Sequence, residues 1–140
     1  MAITQSDVVY TAVATAENGR DGRVATDDGK LDVVVNPPKE QGGSGAGTNP
    51  EQLFAAGYSA CFQGALAVVA RQEGADVSGS TVTAKVGIGK NDDGFGIIVD
   101  ISASIPNVDT TTARELVEKA HQVCPYSKAT RGNITVTLTV

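Results

Sequence analysis

The chain has 140 residues, and its 16 acidic and 11 basic side chains give a formal net charge of -5. This length suits one domain, which we predict to span residues 1–140. The acidic balance argues against a nucleic-acid partner, because binding to phosphates depends on a surplus of Lys and Arg.

The beginning of the sequence has no basic segment followed by an apolar one, so no secretory signal is predicted. The longest uninterrupted apolar run, residues 65–70, is much shorter than the roughly 20 residues that a membrane-spanning helix needs. We therefore expect no membrane association and a cytoplasmic location, where thiols are kept reduced.

The first third of the sequence favours strands and a loop. Residues 8–15 are rich in β-branched side chains and predict a strand. Residues 23–26 and 31–35 predict a hairpin. The segment 37–47 combines prolines with many glycines and predicts an irregular loop. Its glycine run, 42–47, lacks the Lys-Ser/Thr ending of a phosphate-binding loop.

A long first helix is marked at both ends. Asn49 can cap it, Pro50 suits its first position, and Thr48 with Glu51 matches a capping box. Gly74 predicts its end. Because the interior is apolar on nearly every side and rich in Ala and Gly, this helix is expected to be buried on several sides.

The remaining segments complete an α+β pattern. Residues 82–88 and 95–105 alternate apolar and polar side chains and predict a hairpin. An amphipathic second helix is predicted to start at Thr112 and Glu115 and to stop at Pro125, and residues 134–140 predict a last strand. We expect antiparallel sheets around a long central apolar helix.

The chain has two cysteines, Cys61 in the first helix and Cys124 in the predicted last turn of the second. They are either inert core residues or a redox pair. Cys61 lies roughly 15 Å from the start of its helix, so a cation from elsewhere must stabilise its thiolate. The negative end of a helix disfavours a thiolate at Cys124. Cys61 is therefore the candidate nucleophile and Cys124 the candidate resolving thiol.

Three further side chains are candidates with simpler explanations. His121 could pair with a cysteine, bind a metal or be a solvated helix residue, although one His and two Cys supply too few ligands for a typical zinc site. Arg20 in a glycine-rich turn could fold over a site or be solvated. Glu51 is explained by capping alone.

Two motifs resemble a known family. TNPEQLFAAGYSACF at residues 48–62 and AHQVCPYS at residues 120–127 are similar to the two cysteine motifs of the organic hydroperoxide resistance (Ohr) branch of the Ohr/OsmC family. The segments 18–22 and 130–134 are also similar to that family. Lys128, where the family more often has Asn, departs from the pattern just past the second motif.

This resemblance implies an OsmC-like fold and a cysteine-based peroxidase that acts in defence against oxidative stress. The family's nucleophile corresponds to Cys61, its resolving residue to Cys124, and its thiolate-supporting pair to Arg20 and Glu51. It also implies fatty-acid-like organic hydroperoxides as substrates and dihydrolipoyl groups on a carrier protein as external reductant, with no bound cofactor.

The position of Glu51 adds a geometric expectation, because ten residues of straight helix separate it from Cys61 by roughly 15 Å. Either the helix breaks near Gly57, or Glu51 serves the thiol of a partner subunit in an intertwined homodimer. A helix rich in Gly and Ala favours the homodimer. Aromatic side chains could line the approach to the thiol, and the candidates are Phe54, Phe62, Phe95 and Tyr126.

Three other functions stay open at this point. A Cys-His hydrolase would need His121 beside Cys61 and would not need Cys124. A binding or stress protein would leave both cysteines inert. The OsmC branch of the same family would differ in its preferred oxidant more than in its chemistry.

Overall fold

The computed structural model describes residues 1–140 and confirms an α+β fold. Two compact units are formed by Met1–Pro50 and Glu51–Val140, and the prediction of one domain stays a prediction. Short 3-10 helices lie at Gln5–Asp7 and Lys39–Gln41. The strands and α-helices are, in chain order, β1 Ala14–Glu17, β2 Gly22–Thr26, β3 Asp32–Val35, α1 Pro50–Glu73, β4 Thr81–Asn91, β5 Gly94–Ser104, α2 Thr110–Val123, α3 Pro125–Thr130 and β6 Val136–Thr139.

The first unit contains an antiparallel sheet in the order β1-β2-β3, which confirms the predicted hairpin between β2 and β3. The strand predicted over residues 8–15 is wrong for most of its length, because pairing starts only at Ala14 opposite Thr26. Val9 and Tyr10 are 100% and 77% exposed. β-branched side chains favour a strand only where a neighbouring edge supplies hydrogen bonds and packing.

The loop predicted over residues 37–47 is irregular except for one short turn of 3-10 helix, Lys39–Gln41. Pro38 precedes this turn, and Gly42 ends it in the left-handed region with a φ of 81°. A single 3-10 turn needs few hydrogen bonds and ends readily at a glycine, so it forms inside a segment that cannot sustain a longer helix.

Helix α1 begins at Pro50 and ends at Glu73, as predicted, and Gly74 follows with a φ of 68°. By length and composition α1 could cross a membrane, although its longest unbroken apolar run is short. All but one of its buried side chains belong to the core cluster of the second unit, together with residues of α2 and β5. We therefore assign α1 to a protein core rather than to a membrane span.

The second sheet has the order β4-β5-β6. The predicted hairpin is confirmed, with antiparallel pairing from Thr81 opposite Ser104 to Asn91 opposite Gly94. The expectation of antiparallel sheets is confirmed except at β6, which runs parallel to β5. A parallel neighbour requires a long crossover, which α2 and α3 supply in the chain between β5 and β6.

The second helix starts earlier than predicted and stops before Pro125, as predicted. It starts at Thr110 rather than at Thr112, because Asp109 is the N-cap and accepts a hydrogen bond from the Thr112 amide at 2.7 Å. At the other end, Pro125 both prevents α2 from continuing and opens α3, which the sequence analysis did not predict. Proline lacks a backbone N–H, which forbids a helix interior but suits a first helical position.

Candidate redox site

The fold of the second unit brings the two cysteines together. The Sγ atoms of Cys61 and Cys124 lie 3.6 Å apart and share a hydrogen bond, although the residues are 63 positions apart in sequence. Both are free thiols. A disulfide has a sulfur–sulfur distance of about 2.05 Å, so side-chain rotation and a small backbone adjustment would close the bond.

The two thiols differ in their exposure. Cys61 lies on α1 and is partly exposed, whereas Cys124 is 0% exposed and belongs to the hydrophobic core cluster. A reagent that arrives from solvent therefore meets the sulfur of Cys61 first. This asymmetry agrees with the roles predicted for the two residues and adds a geometric reason for them.

Cys124 occupies the junction between two helices. It is the C-cap of α2 and also the N-cap of α3, where its sulfur accepts a hydrogen bond from the Ser127 amide at 3.5 Å. Cys124 thus lies at the C-terminal end of α2, as predicted. The hydrogen-bond donor that α3 supplies to its sulfur was not predicted, and it opposes the negative partial charge expected there.

The environment of Cys61 favours its thiol form. Burial raises the pKa of Cys61, and the neighbouring Cys124 thiol raises it further, whereas a hydrogen bond from the Tyr126 backbone amide lowers it. The net shift is upward. Since only the thiolate is a strong nucleophile, the surroundings within this unit oppose reactivity at neutral pH.

A chain of buried hydroxyl groups lies behind the two thiols. The Oη atom of Tyr58 is 2.8 Å from Ser127 Oγ and 2.9 Å from Thr130 Oγ1. Ser127 Oγ is also 2.8 Å from His121 Nδ1. All three hydroxyl-bearing residues are buried, so these contacts satisfy polar groups that would otherwise be costly to desolvate. We call these three hydroxyl groups, together with the His121 imidazole at one end, the hydroxyl chain; its residues are Tyr58, His121, Ser127 and Thr130.

Tyr58, Ser127 and Thr130 are site residues that the sequence did not predict. Tyr58 precedes Cys61 by three positions on α1, which places it one turn away on a neighbouring part of the same helix face. Ser127 likewise follows Cys124 by three positions. The spacing of these residues to the cysteines was the signal in the sequence that could have identified them.

His121 is neither a solvated helix residue nor placed as a Cys-His hydrolase requires. It is partly buried, and its Nδ1 atom contacts Ser127 rather than a thiol. Burial lowers the pKa of His121 and the nearby Arg131 lowers it further, so the imidazole is largely neutral at pH 7. Arg131 also donates a hydrogen bond to the His121 carbonyl at 2.7 Å, which ties α2 to the end of α3.

Three aromatic rings pack together on the side of α1 that carries Cys61, where the Tyr126 backbone amide contacts the thiol. The ring centroid of Tyr126 lies 6.1 Å from that of Phe54 and 5.7 Å from that of Tyr58, and the Phe54 and Tyr58 rings meet edge to face at 6.0 Å. Gly57 permits this packing, since a Cβ atom there would lie 2.9 Å from Tyr126 Oη. Of these rings, Tyr126 is exposed and Phe54 partly exposed.

The other two aromatic candidates lie elsewhere. Phe62 is fully buried in the core cluster. Phe95 is 73% exposed near the turn between β4 and β5, where the Lys90 ammonium sits 5.6 Å from its ring centroid. Phe95 therefore has no part in the aromatic group beside Cys61.

Arg20 and Glu51 belong to different units. Arg20 is exposed in the turn between β1 and β2. It directly follows Asn18 and Gly19, whose φ values are 61° and 58°. Glu51 is partly buried in the first turn of α1. Both residues make interactions. Because α1 is continuous through Gly57, the alternative of a helix break there is excluded, and the roles of both residues stay predictions.

Comparison with known proteins decides the family. The sequence model described as OsmC-like protein matches residues 42–139. The chain belongs to the OsmC-like family. It is 53% identical over 135 residues to the organic hydroperoxide resistance protein of Xanthomonas axonopodis pv. citri, with 95% of each chain covered. It is 46% identical over 132 residues to OhrB of Bacillus subtilis, covering 93% of this chain and 96% of that protein.

Solved structures of OsmC-like relatives agree with this assignment. An organic hydroperoxide resistance protein of Vibrio cholerae, with captopril bound in one of the active sites, has a TM-score of 0.91 and 48% identity, covering 98% of this chain and 95% of that one. The organic hydroperoxide resistance protein of Elizabethkingia anophelis, with thiocyanate bound, has a TM-score of 0.89 and 53% identity. The match covers 95% of this chain and 96% of that one. The predicted resemblance to the organic hydroperoxide resistance branch is confirmed.

The difference in exposure predicts a difference in labelling. In the native reduced protein, N-ethylmaleimide should modify Cys61 and leave Cys124 protected until the protein unfolds, because Cys124 has no exposed surface. Labelling kinetics of Cys61→Ser and Cys124→Ser variants, followed by mass spectrometry at pH 8, check this. Equal rates for the two thiols in the folded variants would contradict the proposed order of access.

Proposed function

We propose that this chain is a thiol peroxidase that reduces organic hydroperoxides to alcohols. The observation that carries the proposal is the 3.6 Å approach of a partly exposed and a buried thiol, in a chain whose relatives are organic hydroperoxide resistance proteins. That family relationship implies a part in defence against oxidative stress. A cytoplasmic location remains an expectation from the sequence.

In the proposed reaction the Cys61 thiolate attacks the distal peroxide oxygen. The O–O bond breaks, an alkoxide leaves and takes a proton to become the alcohol, and Cys61 becomes a sulfenic acid. Cys124 then attacks the sulfur of Cys61, and hydroxide leaves as water after the Cys124 proton is transferred. The two electrons that reduced the peroxide come from two thiols, which end as one disulfide.

The proposed substrate class agrees with the surroundings of Cys61. The Tyr126 backbone contacts the Cys61 thiol, and the Tyr126 ring packs against Phe54 with one ring exposed and the other partly exposed. The alkyl group of an organic hydroperoxide therefore has apolar surface to bury against. Hydrogen peroxide lacks such a group and gains nothing from these rings. Fatty-acid-like hydroperoxides therefore suit this approach better than hydrogen peroxide.

The proposed chemistry needs a positive charge at Cys61, because burial raises the pKa of its thiol. We assign this role to Arg20, as the family resemblance implies, with Glu51 orienting the guanidinium through a charge-assisted fork. Glu51 lies ten residues before Cys61 on an unbroken helix, a separation of about 15 Å. Arg20 and Glu51 of one subunit are therefore proposed to serve the thiol of the other.

A homodimer is proposed on the basis of α1. Its exposed side carries several small residues, which allow a second helix to approach closely in a twofold arrangement. At Gly64 a Cβ atom would meet no atom within 4 Å, so this part of the helix surface is open within the chain. The small exposed residues on this side are Ala56, Ala60, Gly64 and Ala67.

The catalytic cycle is proposed to close with an external dithiol. A dihydrolipoyl group on a carrier protein would attack the Cys61–Cys124 disulfide, pass through a mixed disulfide and leave as the cyclic disulfide. Both cysteines would return to thiols, and no cofactor stays bound. A flexible dithiol arm suits a site in which only one of the two sulfur atoms is exposed.

The central prediction concerns one equivalent of cumene hydroperoxide added to the reduced protein. The wild type should consume it rapidly and form a Cys61–Cys124 disulfide, found by peptide mapping. Cys61→Ser should lose at least about a thousandfold in rate, because the nucleophile is gone. Cys124→Ser should still consume the first equivalent and stop at the sulfenic acid. Rapid peroxide consumption by Cys61→Ser would overturn the proposal.

The assignment of Arg20 predicts a shift in pH dependence. In Arg20→Ala, burial of Cys61 is no longer opposed, so the pKa of the thiol rises and reactivity moves to higher pH than in the wild type. The pH profile of Cys61 alkylation in the Cys124→Ser background checks this. Arg23→Ala is the matched control, because Arg23 is a nearby arginine whose two hydrogen bonds go to Asp32. Equal profiles for Arg20→Ala and wild type would contradict the role.

The proposed dimer predicts the effect of a large side chain on α1. Gly64→Arg should shift the protein from dimer to monomer in light scattering after size exclusion, while circular dichroism shows an unchanged helix content. Gln122→Arg places the same side chain at an exposed position of α2 and should stay dimeric. A monomeric wild type, or an unaffected Gly64→Arg dimer, would show that this helix face forms no interface.

A further inference from the structure

We infer that Ser127 is a positioning residue for Cys124, holding the resolving thiol against Cys61 while the disulfide forms. The inference rests on the proposed function, because it concerns the second step of that reaction. It assigns a role to a residue that touches neither the hydroperoxide nor the oxidised sulfur. Ser127 ends the second cysteine motif, residues 120–127, but the sequence predicts no role for it.

Ser127 connects the three helices that surround the thiols. Its hydroxyl contacts Tyr58 of α1 at 2.8 Å and His121 of α2 at 2.8 Å, and Ser127 itself lies in α3. Its backbone amide donates to the Cys124 sulfur at 3.5 Å. Ser127 is fully buried, so water does not compete for these contacts. One residue thus links both cysteine-bearing parts of the chain to the resolving sulfur.

The geometry of disulfide formation explains why such a link matters. The two sulfur atoms start 3.6 Å apart and must approach to about 2.05 Å, in line with the breaking S–O bond of the sulfenic acid. If the first turn of α3 is fixed, Cys124 reaches this geometry by side-chain rotation from a defined start. If α3 can shift, the sulfur of Cys124 samples many positions, and few of them are productive.

The polar character of this link separates it from ordinary core packing. Elsewhere in the same cluster α1 and α2 bury aliphatic side chains, for example Leu66 and Val117. Next to the cysteines the contact is instead made by hydroxyl and imidazole groups, whose hydrogen bonds are directional. Each contact fixes an orientation of Ser127, and with it the direction of the amide that faces Cys124.

The test separates the two chemical steps by rapid mixing with cumene hydroperoxide. Ser127→Ala should form the Cys61 sulfenic acid at the wild-type rate, measured by dimedone trapping. It should close the disulfide more slowly, by a factor on the order of ten to a hundred, because the attacking sulfur is misplaced. The longer-lived sulfenic acid should also be overoxidised more readily, seen as added oxygen on the Cys61 peptide at excess peroxide.

Two variants control for loss of structure. Tyr58→Phe removes one partner of Ser127 and keeps the ring, so it should slow disulfide closure in the same direction but less. Ser59→Ala removes a hydroxyl from the neighbouring position of α1, where it contacts only the Ala56 carbonyl, and should leave both steps unchanged. If Ser127→Ala does not fold, Tyr58→Phe decides by the same criterion.

If Ser127→Ala closes the disulfide at the wild-type rate, the inference is overturned, even if thermal stability falls. If Ser127→Ala does not fold, a wild-type rate of disulfide closure in Tyr58→Phe overturns it instead. Equal slowing of the first and second steps would overturn it as well, because it would indicate a general loss of structure. Failure of the proposed function looks different, since then the wild type itself forms no sulfenic acid and no disulfide.

Discussion

The approach of two sulfur atoms to 3.6 Å is the constraint on which the site depends. The chain separates Cys61 and Cys124 by 63 positions, so no local signal holds them together. Their distance is set by α1 packing against α2 in the core of the second unit and by the polar contacts between α1 and α3. A change of one or two ångströms in that packing would separate the thiols without disturbing any single helix.

Burial affects the two thiols of the site in different ways. It raises the pKa of Cys61, which works against a nucleophile, and it keeps Cys124 away from solvent. The first effect makes an added positive charge necessary for peroxidase chemistry. In the proposed reaction, the second effect leaves the sulfur of Cys61 as the partner within reach of Cys124.

The sequence predicted those parts of the fold whose causes are local. Proline at position 50 and glycine at position 74 mark the two ends of α1, and alternating side chains mark β4 and β5. The errors arise where distant contacts decide the outcome. Residues 8–13 have strand-forming side chains but pair with no neighbouring strand. Strand β6 runs parallel to β5 because of the crossover before it.

The sequence predicted the two cysteines of the candidate site but not the buried hydroxyl groups that pack behind them. Both cysteines stood out by number and placement, whereas the hydroxyl chain behind them depends on α3. Pro125 was interpreted only as the end of α2, so the turn that carries Ser127 had no predicted structure. Proline after a capping side chain signals a new helix as well as the end of an old one.

The most direct test of the central claim is a crystal structure of the protein after one equivalent of an organic hydroperoxide. The account predicts continuous electron density between the Sγ atoms of Cys61 and Cys124 within one chain, with α1 and α2 in place. Cys61 bonded to another chain, or the two thiols still reduced after the peroxide has been consumed, would contradict it.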